Sequence, residues 1–229
     1  MKIVINEKKV RRNRQIGQYT SIGSLIVLIA GFALSFNPAL ITYSFVMLIL
    51  GLLFSQIGIY YGNRWGRSPR TDESLAAGLK GLDEKYSLYI LSGPIPYLLV
   101  GPAGLFPIVP MFQRGVITYT NKRYRQRGIN FFNRFFGQEN LGRPDLEAQS
   151  YQEDLTRFLS KSMEANNLPS IQALIVFTNP KTEVEVDEAP YATLPLEKLK
   201  DFIRRKAKEK PLSMARVQAV RDLLPQPEE

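Results

Sequence analysis

Charge disappears from the chain between Gln15 and Asn63, a run of 49 residues without Asp, Glu, Lys or Arg. The run divides at Asn37-Pro38 into apolar segments over roughly 19–36 and 40–61. A helix needs about 20 apolar residues to cross a bilayer, and each segment comes close to that. The pattern predicts a transmembrane helical hairpin over 19–62. Two other readings fit less well: a signal peptide followed by one anchor, and a buried hairpin of a soluble protein. The first segment is long for a signal core, and the loop shows no cleavage pattern. Gly17, Ser21, Ser24, Gly31 and Ser35 recur on one face of the first segment, with Leu28 interrupting. Gly51, Ser55, Gly58 and Gly62 do the same on the second. Small residues at helical spacing let two helices approach closely, so these stripes are expected to form the seam of the hairpin. Gln56, polar within the span, is expected to hydrogen-bond across that seam rather than to serve a transport path.

Beyond the hairpin the pattern becomes that of a mixed α/β domain over 72–224. Thr71 or Asp72 caps a predicted helix over Glu73–Leu82. Strands are expected at Tyr86–Leu91, Tyr97–Val100 and Leu105–Val109, the last two joined by the turn residues Gly101-Pro102-Ala103-Gly104. Pro107 and Pro110 cannot donate ladder hydrogen bonds, so this strand is expected to be short, bulged or at an edge. Gly115–Thr120 alternates as a strand, and Asn121–Arg127 reads as a basic turn. Pro144 precedes a helix over about Asp145–Ala165. Further strands are predicted at Ile171–Thr178 and Thr182–Val186. Helices over Leu196–Lys208 and Ser213–Leu224 close the domain, with Ser213 as a cap. A tail follows at 225–229.

Composition narrows the chemistry. The 229 residues include no cysteine and no histidine. Disulfides, thiolate nucleophiles and Cys-based metal sites are excluded, and so is every Ser-His-Asp or Cys-His arrangement. The net charge of +9 is unevenly placed. Residues 1–18 form a basic segment with Lys2, Lys8, Lys9, Arg11, Arg12 and Arg14 against Glu7 alone. The Asn37-Pro38 loop has no charge, and the linker 63–71 carries Arg64, Arg67 and Arg70. By the positive-inside rule both termini are expected in the cytoplasm, as in a two-span protein of a prokaryotic inner membrane. Tyr60, Tyr61 and Trp65 sit where an interfacial aromatic belt belongs.

The stretch from Pro96 through Tyr97-Leu-Leu-Val-Gly-Pro-Ala-Gly-Leu-Phe-Pro-Ile-Val-Pro to Met111 resembles the nuclease-related domain, a branch of the restriction-endonuclease-like superfamily. The family reads Asp-His-Leu-Val-Val-Gly-Pro-Thr-Gly-Val-Phe-Val-Ile-Glu-Thr-Lys here. The match runs closely through the Gly-Pro-x-Gly turn. Pro144–Leu159, the strand ending Val176-Phe177-Thr178-Asn179-Pro180, and the Pro211-Leu212-Ser213 helix start are also similar. The resemblance covers about 71–224 and implies a restriction-endonuclease-like α/β domain with a central mixed sheet flanked by helices. The family's chemistry uses an Asp and a Glu on a divalent metal, with a Lys to activate water. Those positions fall on Pro96, Val109 and Met111, and only Glu73 corresponds to the family's helix Glu. The resemblance therefore implies a catalytically inactive relative with no metal or other cofactor. An active nuclease would need magnesium on relocated carboxylates, with Asp72, Glu73, Asp83 and Glu84 the nearest.

The binding chemistry that remains is concentrated in 114–143. Arg114, Lys122, Arg123, Arg125, Arg127, Arg134 and Arg143 face one acid, Glu139, with Tyr119, Tyr124, Phe131, Phe132, Phe135 and Phe136 interleaved. Basic side chains neutralise phosphates and aromatics stack on unpaired bases, so one expectation is a nucleic-acid-binding module tethered to the bilayer. The alternative is a scaffold on which this stretch docks on anionic lipid headgroups or on a protein partner. A third reading is that the phenylalanines are core or membrane-facing and the arginines a solvated rim.

Overall fold

The computed structural model describes residues 1–128, 140–164, 168–209 and 211–226. They form two compact units, one of Glu7–Thr71 and one of Met1–Asn6 with the described residues from Asp72 onward. The elements in chain order are β1 (Lys2–Ile5), α1 (Glu7–Leu34), α2 (Ile41–Tyr61), α3 (Thr71–Gly78), β2 (Ser87–Ile90), β3 (Tyr97–Gly101) and β4 (Gly104–Met111). There follow β5 (Gly115–Thr120), β6 (Arg123–Arg127), α4 (Pro144–Leu159), β7 (Leu174–Phe177), β8 (Thr182–Glu185), β9 (Ala192–Pro195), α5 (Leu196–Glu209) and α6 (Met214–Leu223).

The first unit is the helical hairpin. Both helices are long and apolar enough to cross a membrane. Large side chains such as Ile22, Leu25, Ile29, Phe32, Phe45 and Leu53 are exposed around it. Apolar surface that is continuous and exposed needs an apolar environment. Gly17, Ser21, Gly31, Gly51 and Gly58 meet across the hairpin, whereas the Ser35 hydroxyl, just past the end of α1, donates to the Phe32 carbonyl. A Cβ on Gly58 would stand 3.0 Å from the backbone nitrogen of Ser21, and one on Gly31 3.0 Å from Cβ of Met47. Gly17 meets Tyr61 and Gly62 in the same way. Ser24 is buried there, and Ser55 is partly buried. Leu28 does not interrupt the seam: it fills the space over Gly51, where a Cβ would lie 2.6 Å from its Cγ. Gln56 is exposed, so it faces away from the seam it was expected to bridge. The polar link across the seam is instead Ser44, whose hydroxyl donates to the carbonyl of Gly31 at 2.6 Å. A short 3-10 turn, Pro38–Leu40, joins the helices, with the Asn37 side chain accepting from the Ala39 amide. Tyr60, Tyr61 and Trp65 cluster at the other end, and the Arg64 guanidinium lies 4.1 Å above the Tyr60 ring.

The second unit is α/β. Six strands form a mixed sheet in the order β1-β2-β3-β4-β7-β9. The pairs β1·β2, β4·β7 and β7·β9 are parallel, while β2·β3 and β3·β4 are antiparallel. Alternate side chains go to opposite faces, as strand geometry requires. Leu88, Ile90, Leu99, Phe106, Ile108 and Val176 pack under Leu75 of α3, Leu79 just beyond its end, and Leu199 and Ile203 of α5. Val4, Tyr89, Leu98, Val100 and Leu105 pack against Leu155 and Leu159 of α4 and Val217 and Val220 of α6. The sheet thus lies between two helical layers.

The segment 1–18 is not a free basic flank. Ile3-Val4-Ile5 is β-branched and joins the sheet, and the helix begins at Glu7, so Lys8 to Arg14 lie on α1. Three further elements differ from expectation. Helix α4 ends at Leu159 rather than near Ala165, and α3 ends at Gly78 rather than Leu82. Strand β9, Ala-Thr-Leu-Pro, lies outside every expected strand.

Strand β4 is neither short, bulged nor at an edge. All eight of its residues are buried between β3 and β7. Its prolines are tolerated because of register. A strand residue points its N–H and C=O to the same side, and the side alternates. Leu105 exchanges bonds with Ser170 and Gln172, so odd-numbered residues of β4 face β7. The N–H that Pro107 lacks would point at Gln172, which precedes the start of β7. Pro110 would face Ile95, two residues before β3 starts. Gly101 and Gly104 close the β3–β4 turn. A Cβ on Gly101 would collide with the ring of Tyr86, and Gly104 has φ +129°.

Candidate functional site

The sequence from Gly115 to Arg127 folds as a β-hairpin, not as a strand followed by a turn. Asn121 and Lys122 are its two turn residues, with φ of 54° and 57°. Left-handed residues at both positions give the twist that two-residue hairpins favour. This hairpin and β8 make a second sheet in the order β6-β5-β8.

Strand β6 reads Arg-Tyr-Arg-Gln-Arg, and alternation separates its two residue types. Arg123, Arg125 and Arg127 are exposed on one face. Tyr124 is buried on the other, and its ring centroid lies 4.9 Å from that of Tyr119. Tyr119 and Tyr124 are therefore not interleaved with the arginines in space. Tyr124 packs with Val109, Ala148 and Phe177, and its hydroxyl meets the Thr193 hydroxyl at 2.6 Å. Burial pushes the Tyr124 phenol up to about 12. The Gln126 amide donates to the Arg114 carbonyl at 2.7 Å, which ties the hairpin ends together. Arg114 itself is half-buried before β5, and Lys122 is exposed at the turn. Among the described residues a concavity of about 680 Å³ borders the arginine strand and the Asn140–Gly142 stretch. Arg134 and the four phenylalanines around it lie outside the described residues.

Arg143 does not extend the basic row. Its guanidinium donates to both carboxylate oxygens of Asp145, at 3.0 Å from Nε and 2.6 Å from Nη2. That contact holds the Asp145 carboxyl below its usual range and keeps a buried acid ionised at the start of α4.

Register brings a second row to the arginine face. Thr118 of β5 pairs with Arg125 on one side and Glu185 on the other, and Val116 pairs with Arg127 and Glu183. Side chains of paired residues project to the same face of a sheet. Glu183 and Glu185, both exposed, run parallel to the arginines along the far strand. The signal for this row was present in Thr-Glu-Val-Glu, but only strand pairing shows which face it shares.

The positions that the resemblance makes catalytic are apolar in space as well as in sequence. Val109 and Met111 are buried among Ala173, Ile175 and Phe177, and Pro96 lies in the loop before β3. Such side chains do not fit a magnesium ion, which needs oxygen ligands. Glu73 is exposed on α3, and Asp83 accepts from the Lys85 amide at 3.1 Å in its own local turn. Among the described residues no three carboxylates gather as metal ligands. No family model, no curated protein and no solved structure matches the chain.

Proposed function

We propose that the chain is a membrane-anchored binding module that engages the backbone of a nucleic acid through its β5–β6 hairpin, without cleaving it. The observation that carries this reading is the exposed row Arg123, Arg125 and Arg127, one strand wide. Guanidinium groups pair with phosphate oxygens and release counterions. The resemblance to the nuclease-related domain adds the expectation of a restriction-endonuclease-like fold and a nucleic-acid ligand. The apolar residues at Pro96, Val109 and Met111 argue for an inactive relative. The anchor is the α1–α2 hairpin in a prokaryotic inner membrane. Both ends of the hairpin connect to the same compact unit, which supports a topology with both termini on the cytoplasmic side.

The test uses the full chain in lipid nanodiscs. Labelled DNA and RNA are scored for binding and cleavage, with and without magnesium or manganese, at two salt concentrations. Binding that weakens steeply with salt, falls in the Arg123→Ala/Arg125→Ala variant and produces no cleavage is the expected result. Metal-dependent cleavage lost in Glu73→Ala would overturn the inactive reading. Vesicle binding that requires anionic lipid, with no nucleic-acid binding at low salt, would replace it with a lipid-docking scaffold.

A further inference from the structure

The arginine row does not stand alone on its face, and the row beside it restricts what can bind. Arg125, Thr118 and Glu185 lie level across the second sheet, as do Arg127, Val116 and Glu183. Two inter-strand spacings of about 4.8 Å put the acidic row roughly 10 Å from the basic one. That is about one Debye length at 0.1 M salt, so a polyanion over β5 feels both rows. None of Arg123, Arg125, Arg127, Glu183 and Glu185 joins an ion pair among the described residues.

A strip of positive charge one strand wide suits one row of phosphates. Successive arginines two residues apart on β6 are spaced by about 7 Å along the strand. A duplex carries two phosphate rows, on either side of a major groove about 12 Å wide or a minor groove about 6 Å wide. Setting one row on β6 and turning the other toward the sheet brings it over β5 and β8, where Glu183 and Glu185 repel it. We infer that the hairpin selects a single-stranded nucleic acid lying along β6, with the β8 glutamates acting as the element that rejects duplex. This rests on the nucleic-acid reading above and names its ligand class. Rejection through like charge is a general route to specificity.

The experiment measures fluorescence anisotropy of an oligothymidylate and of a duplex of equal length with the full chain in nanodiscs of neutral lipid. The wild type is expected to bind the single strand about tenfold more tightly at one salt concentration. Each of Arg123→Ala, Arg125→Ala and Arg127→Ala should lower the slope of log affinity against log salt by about 0.7 for the single strand. Glu183→Gln/Glu185→Gln should tighten duplex binding several-fold and narrow the preference. Its effect on folding is read separately by thermal unfolding. Equal affinity for the two ligands, or a duplex affinity unmoved in a folded Glu183→Gln/Glu185→Gln variant, overturns the single-strand inference and leaves the general reading standing. Binding of neither ligand above the level of the triple arginine variant overturns both.

Discussion

Val4 lies opposite Tyr89 in parallel register, although the whole apolar hairpin separates them in sequence. The apolar hairpin is therefore inserted between β1 and the rest of the α/β domain.

This arrangement governs how the domain can be isolated. A fragment beginning at residue 72 lacks β1, exposes the edge of β2 and loses the buried Val4 side chain. Full burial of a valine contributes about 1.5–3 kcal/mol. A version with residues 1–6 joined to residue 72 by a Gly/Ser linker should be more stable in urea by at least about 2 kcal/mol. Equal midpoints and slopes for the two would show that β1 contributes nothing to the sheet.

The hairpin seam gives a second test with an internal control. Gly58 and Gly51 have backbone or branched side-chain atoms where a Cβ would stand, while Gly23 has open space. Gly58→Val should lower stability in detergent micelles by about 1–3 kcal/mol through overpacking. Gly23→Val should be close to neutral. Thermal unfolding followed by far-ultraviolet circular dichroism separates the two, and equal effects would argue against this seam.

Tyr124 makes alkaline stability a readout of the second sheet. Its phenol is held neutral up to about 12 against an ordinary 10.0, so above pH 10 the unfolded chain releases a proton that the folded one keeps. Stability is complete below pH 10 and falls as pH rises toward 12, by on the order of 2 kcal/mol from this residue. Tyr124→Phe should make the fall shallower, with Tyr86, Tyr89 and Tyr191 supplying what remains. At neutral pH a double-mutant cycle with Thr193→Val should give a coupling of about 1 kcal/mol for the lost hydrogen bond.

Asp145 provides the acid-side counterpart. Its carboxyl titrates below the ordinary 3.8 because Arg143 donates to it, so its contribution is present above that value. The contribution is lost as pH falls through the lower folded value. Arg143→Ala removes the cation and leaves burial, which favours the protonated acid. Acid unfolding should then begin at higher pH than in the wild type, and an unchanged acid midpoint would show that the pair carries no such linkage.

Hydrophobic period and length made the two apolar helices legible, and turn residues fixed the β3–β4 hairpin around Gly101 and Gly104. Both are local signals, read within one helix or one turn. Prolines 107 and 110 misled because their effect depends on which neighbour each missing N–H would face, and that is a property of register. The expected mixing of arginine and tyrosine dissolved for a similar reason: adjacent residues in a strand go to opposite faces. Gln56 looked like a seam residue by composition, yet it lies about 100° around the helix from Ser55 and faces outward, and the bond across the seam falls to Ser44.

By itself the sequence determined an uncharged apolar hairpin, an α/β domain without cysteine or histidine chemistry, and a basic stretch from Arg114 to Arg143. Only the tertiary structure decided that Lys2–Ile5 belongs to the sheet, that Arg123, Arg125 and Arg127 form one exposed row, and that Glu183 and Glu185 lie beside it. Periodicity and composition act over a few residues, whereas strand pairing joins segments tens of residues apart, and it is pairing that settles which charges share a face.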